Sequence, residues 1–165
     1  MKQLPEGDRA TTLLSALRQH ILNGGGLIHG YAAAARMIDL NGADYGRHLG
    51  QVVSRIDLAS FNSGLPFLTL HWIREPNGEI NSAAFHDSVG GAINPWLPFE
   101  AEMLSVAESH QWSPEDFDRL QVSLDKLPNE GAKALWRRVE IQIMKNGQSF
   151  IRHNLHRRIR SQTVY

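Results

Sequence analysis

The sequence predicts an α+β protein that is mostly helical, and three observations carry that expectation. Apolar residues recur at i, i+3, i+4 and i+7 through most of the chain, the spacing of one helical face. Clusters of Asn, Gly and Pro interrupt these segments at helix-like intervals. Only residues 65–85 break the rhythm, with strand formers on both sides of a Pro76-Asn77-Gly78 turn. A chain of 165 residues with 42% apolar and 21% charged residues suits one domain, or one domain with a small appendage, and is long enough to bury a real core.

Taken in order, residues 1–8 carry no periodic pattern. A first helix is expected from about Arg9, where Ala10, Leu13, Leu14, Leu17 and Ile21 form a stripe that ends at Asn23-Gly24-Gly25-Gly26. Leu27-Ile28 is long enough for a minor strand only. A second helix opens at Tyr31 with Ala34, Ala35 and Ile38 on one face and Asn41-Gly42 as its stop. The third carries Tyr45, Leu49, Val52, Val53 and Ile56 on its apolar face, Arg47, His48, Gln51, Ser54 and Arg55 opposite, and stops at Asn62-Ser63-Gly64. Residues 65–74 and 79–85 read as the two strands of a hairpin. Three helices followed by a hairpin describe a winged helix-turn-helix, in which the second helix of the pair carries side chains into the DNA major groove. An ordinary helical hairpin with a polar outer face fits the same pattern.

The predicted organisation is therefore a winged-helix-like region over 1–85, a connection over 86–98 where Gly, Pro and Asn accumulate, and a helical region over 99–165. In that last region a helix is expected from Phe99 to His110. Ser113-Pro114-Glu115-Asp116 is a strong start for another, with Ser as cap, Pro at the first helical position and acids in the first turn. Phe117, Leu120, Leu124 and Leu127 give that helix its apolar stripe. A further helix over 131–145 presents Leu135, Val139 and Ile143, and a final one over 148–161 sets Arg152, His153, His156, Arg157 and Arg160 beside an apolar stripe of Ile151, Leu155 and Ile159.

Charge separates along the chain although it sums to zero. Residues 1–99 hold seven Lys/Arg against eight Asp/Glu, residues 100–131 two against eight, and residues 132–165 eight against one. Such polarity arises either from an acidic segment packed on a basic one or from a basic end that meets an external polyanion. The absence of cysteine removes disulfides, thiolate metal sites and a cysteine nucleophile together. No apolar run is long enough to span a bilayer and the amino end lacks a secretory signal pattern, so no membrane partner and a cytoplasmic location are expected.

Tyr31, Ala35, Arg36 and Ile38, then Gly46-Arg47 with Leu49, then Leu65-Pro66, resemble the DNA-binding part of the alkylguanine-DNA alkyltransferases and alkyltransferase-like proteins. The resemblance covers about a third of the chain and implies a winged-helix scaffold for double-stranded DNA. Two positions depart from the family. Ala43 stands where its intercalating Arg belongs, and Thr69-Leu70-His71-Trp72 replaces the Pro-Cys-His-Arg segment, so alkyl transfer is excluded. Gly147-Gln148-Ser149-Phe150-Ile151-Arg152, followed by Leu155, resembles the segment just ahead of the nuclease motif in some bacterial HNH endonucleases, which implies a recognition half or a relative of a restriction-type nuclease without its catalytic module.

Other motifs weigh less. Gly25 and Gly30 have the spacing of a phosphate loop, but Tyr31 stands where the lysine belongs, so a helix stop is the reading. His153 and His156 share a helix face and His86-Asp87 lies near His71 in sequence, yet none has the companions of a compact metal site. Trp72, Trp96, Trp112 and Trp136 read as core, with Trp72 a partner contact if it faces outward. The sequence thus predicts no catalytic residue, metal or cofactor, and a non-catalytic DNA-binding protein. Arg47, His48, Gln51 and Arg55 are its expected base-reading face, and Arg152, Arg157 and Arg160 its phosphate contacts. The alternative is a small phage-type inhibitor or regulator that binds a protein partner through its acidic 100–131 segment.

Overall fold

The computed structural model describes residues 5–40, 45–80 and 100–146. The described residues are mostly helical, with seven helices and a two-stranded parallel sheet. Helix α1 spans Pro5–Leu22, strand β1 Ile28–His29, α2 Tyr31–Arg36, α3 Tyr45–Ser63, α4 Leu68–Trp72, β2 Ile73–Arg74, α5 Glu100–Ser109, α6 Pro114–Asp125 and α7 Ala132–Asn146.

Helix α1 begins at Pro5, a turn earlier than its apolar stripe indicates, and buries Ala10, Leu13, Leu14 and Leu17. It ends where Gly24 takes φ 81°, a left-handed backbone that costs glycine nothing. Helix α2 stops at Arg36, before the end of the predicted stripe. The chain then turns through Asp39 at φ 53°, one of the few non-glycine types that tolerates that region. The expected stop at Asn41-Gly42 lies outside the described residues. Helix α3 closes at Gly64, φ 75°, as the sequence predicts.

The predicted first hairpin strand is a correction. Residues 68–72 are helical, and extended pairing is confined to Ile73–Arg74, which runs parallel to Ile28–His29. The cause is side chains of α3 that reach the N–H groups left without an intrahelical partner at the start of α4. Asp57 accepts the Thr69 N–H at 3.0 Å and its hydroxyl at 2.6 Å, while the Ser60 hydroxyl accepts the Leu68 N–H at 3.5 Å. These bonds cap a helix that local strand propensity opposes. The turn itself forms as predicted, with Gly78 at φ 90° and the Glu75 N–H donating to the Glu79 carbonyl at 2.7 Å. Beyond it the second strand amounts to one antiparallel bridge, Arg74 to Ile80, and residues 81–85 lie outside the described set.

Helix α6 starts as predicted. The Ser113 hydroxyl accepts the Asp116 N–H, and the Asp116 carboxylate accepts the Ser113 N–H at 3.1 Å, a reciprocal cap. Its Phe117, Leu120 and Leu124 share one core with α1, α2 and α3 rather than forming a core of the second half alone. Arg18 of α1 docks on the same helix, pairing with Asp118 at 2.7 Å and lying over the Phe117 ring. A second cluster joins Leu58 and Phe61 of α3 and Phe67 to Met103, Val106, Leu135 and Trp136. Trp136 is buried, stacks edge-on against Phe67 with centroids 5.8 Å apart, and donates its indole N–H to the Ser54 carbonyl at 2.8 Å. Trp72 and Trp112 are partly buried against the first cluster, with both indole N–H groups out of solvent, in line with the expected core placement. Trp96 and the predicted last helix, 148–161, lie outside the described residues.

Candidate nucleic-acid interface

Helix α3 is the element that every described helix except α5 and β-flanking turns lean on, and its burial changes sharply along its length. Tyr45 and His48 are half-buried and Gln51 is exposed, but every residue from 52 to 61 is buried. Leu49, Val52, Val53 and Ile56 lie in the core as their spacing predicts, with Tyr45 only half covered. The polar stripe meets a different fate from the one expected, because α6 and α7 close over its second half. Arg47 belongs to the first turn of α3, and its side chain lies outside the described residues.

Arg55 is the clearest correction. Expected on an open face, it is 4% exposed. Its Nη1 donates to the Glu130 carbonyl at 2.6 Å and to Glu6 Oε1 at 3.3 Å, and its Nη2 donates to the Pro128 carbonyl at 2.9 Å. Glu6 Oε1 also accepts the Ala132 N–H at 2.8 Å, so one carboxylate of α1 caps α7 and neutralises Arg55. Arg55 therefore fastens the 128–130 turn over α3 and, being buried, is out of reach of a base. Periodicity could not separate it from Gln51, since both sit on the polar stripe. The signal that could have found it is the apolar stripe of α6, which had to be buried against something, and α3 offers the length.

The open end of α3 borders a cleft of about 460 Å³ lined by Pro5, Glu6, Arg9, His48, Gln51 and Gly131. Here α1, the start of α3 and the entry to α7 converge. Glu6 is already held by Arg55 and the Ala132 N–H, whereas Arg9 has no ion-pair partner among the described residues. The predicted contacts His48 and Gln51 are thus brought together with a cation, Arg9, that sequence reasoning did not select. Arg152, Arg157 and Arg160 lie outside the described residues.

Four carboxylates of the acidic 100–131 segment are engaged by the chain itself. Glu108 meets Arg74 at 3.3 Å, Asp116 meets His110 at 2.9 Å, Asp118 meets Arg18, and Glu130 pairs with Arg138. Burial alone would raise the Asp116 carboxyl, but hydrogen bonds from His110 and Ser113 outweigh it and hold the group below the usual range. In contrast, Arg9, Arg36, Lys126, Lys133 and Arg137 have no acidic partner among the described residues.

Two other polar clusters hold groups with shifted acid–base behaviour. Asp57, buried on α3, is pushed up to about 7 by its removal from water, against the opposing pull of the two Thr69 hydrogen bonds. Both its oxygens are committed to capping α4. His71 is held below its ordinary value by burial and by the nearby Arg74 charge, partly offset by Glu108. Arg74 donates from Nη2 to His71 Nδ1 at 2.9 Å; because an arginine only donates, the neutral ring carries its proton on Nε2. Among the described residues no three His, Asp or Glu side chains gather as a metal ligand set. No helix among them is long and apolar enough to cross a membrane. Comparison with family models, curated proteins and solved structures gives no match to this chain.

Proposed function

We propose that this chain is a non-catalytic DNA-binding module that presents the first turns of α3 to duplex DNA, as a helix-turn-helix with a reduced wing. The observation that carries this reading is the uneven use of charge: Glu108, Asp116, Asp118 and Glu130 of the acidic segment meet basic side chains of the chain itself, while Arg9 and the predicted polar side chains His48 and Gln51 line a cleft where α3 begins. In a helix-turn-helix the residues that reach base edges come from the start of the second helix, which is the part of α3 left accessible. The β1–β2 pair and the Arg74–Ile80 bridge would serve as the wing, tied to the start of α2 by the Gly30 N–H donating to the Arg74 carbonyl at 2.7 Å. In this reading Arg47, His48 and Gln51 face base edges and Arg152, Arg157 and Arg160 meet phosphates. Arg55 is withdrawn from the set because it is buried and bonded inside the fold. Recognition within a restriction-type nuclease system is a setting that fits. The protein-partner reading is weaker, since a carboxylate held by the chain's own arginine has less to offer a foreign basic groove.

The test is a titration of duplex DNA at two salt concentrations. Binding should weaken linearly in log salt, and Gln51→Ala should lose about 1–3 kcal/mol of discrimination between preferred and random sequence while keeping the salt slope. A protein that binds no duplex at low salt would overturn the proposal.

A further inference from the structure

The outer face of α7 has a charge pattern that neither the core nor the first turns of α3 explain. Lys133 and Arg137 are one helical turn apart, both exposed, and neither has an acidic partner among the described residues. Arg138, beside them, is instead neutralised by Glu130. Two like charges at i, i+4 repel one another and weaken an isolated helix slightly, so this stripe contributes nothing favourable to α7 itself. Its position is informative. Gly131, two residues before Lys133, lines the same cleft as Arg9, His48 and Gln51, so the first turn of α7 continues the surface on which α3 begins.

Arg9 and Gln51 line that cleft, and Lys133 lies in the first turn of α7, two residues after Gly131 at its edge, with Arg137 one turn further along the helix. Two carboxylates around this cleft are already used, Glu6 by Arg55 and the Ala132 N–H and Glu130 by Arg138. Asp8, exposed in the first turn of α1, is the acid that remains beside Arg9. A partner with regularly spaced negative charge is what such a surface fits.

Resting on the DNA-binding reading above, we infer that Lys133 and Arg137 of α7, with Arg9 of α1, hold the phosphate backbone on either side of the first turns of α3. This places phosphate contacts inside the described fold, ahead of the basic residues after 147. A protein that neutralises phosphates releases counterions, and each contact adds about 0.9 to the slope of log K against log salt irrespective of sequence. The side chains project from helix surfaces, so removing them leaves the core untouched.

The experiment measures fluorescence anisotropy of a short random-sequence duplex from about 50 to about 200 mM salt. The double variant Lys133→Ala/Arg137→Ala should bind every duplex more weakly and lower the slope by about 1.8, with sequence preference unchanged. Lys126→Ala is the control. Lys126 is also unpaired and charged but borders the groove beside Asn62 and Ser63, at the far end of α3, and its removal should leave the slope as it is. Unaltered protein that binds with a salt slope the double variant retains in full would overturn this inference and leave the DNA-binding reading standing. Unaltered protein with no duplex binding at low salt would overturn both. A loss of slope on Lys126→Ala equal to that of the double variant would also overturn it, since binding would then follow total charge rather than place.

Discussion

Along α3, Gln51 stands in solvent while Arg55, one turn later on the same polar stripe, is 4% exposed beneath the 128–130 turn. The first two turns of the helix are amphipathic in the ordinary sense, one face in the core and one facing out. From Val52 to Phe61 it has no outer face. Asp57 and Ser60 point at the backbone of α4, Arg55 at the turn before α7, and the Ser54 carbonyl receives Trp136. A polar residue in the first region is free to meet a partner, whereas one in the second is a fastener whose removal leaves a buried group unanswered. The same residue types therefore carry different meanings a few ångströms apart.

The largest effect that would break this comparison is expected at Arg55. Arg55→Met removes the charge that answers Glu6 and the donors for two turn carbonyls, and should cost about 3–5 kcal/mol in denaturant unfolding. Adding Glu6→Gln should recover part of the loss, because the uncompensated carboxylate is then gone. An Arg55→Met protein as stable as the parent would mean that the second half of α3 is not closed as described.

A smaller effect is expected at Asp57. Its carboxyl is raised to about 7 in the folded chain from 3.8, so the folded state holds the proton more tightly than the unfolded one. The sign follows: this contribution to stability is complete below the unfolded value, declines as pH rises from about 4, and is gone above about 7, a change of a few kcal/mol. Asp57→Asn should flatten that part of the stability–pH curve. Thr69→Val removes the hydroxyl bonded to Asp57 and should cost about 1–3 kcal/mol. A flat profile for the unaltered chain between these pH values would show that Asp57 is not held in a dry site.

At the other extreme lies Gln51. Because it is exposed and caps nothing, Gln51→Ala should change unfolding free energy by no more than about 0.5 kcal/mol. A loss comparable to that at Thr69 would erase the distinction between the two regions and put Gln51 among the fasteners.

Much of the local structure was legible in the chain. The α6 start is an instance: Ser113, Pro114 and Asp116 meet the needs of a helix amino terminus from within four residues, so no distant partner was required to predict it. The same holds for the apolar stripes of α1 and α3 and for the glycine that ends each, since periodicity and left-handed backbone are properties of neighbouring residues. The candidate interface was legible only in part. His48 and Gln51 fall where the helix pattern put them, but Arg9 joined them from α1, across a gap of about 40 residues that no helical period spans.

What the sequence by itself determined about this protein is most of the described helices, the apolar faces they bury and the uneven spread of charge, all of which follow from spacing within a single segment. Which polar residues on those faces remain open was decided only by tertiary packing. Residues 68–72 have strand propensity and became helical because Asp57 and Ser60, on another helix, supplied the missing acceptors. Arg55 has the position of a DNA contact and became a buried fastener because carbonyls of the 128–130 turn, more than seventy residues away, stood over it. Both outcomes rest on hydrogen bonds between distant segments, and the free energy of such bonds depends on what covers them rather than on what precedes or follows them in the chain.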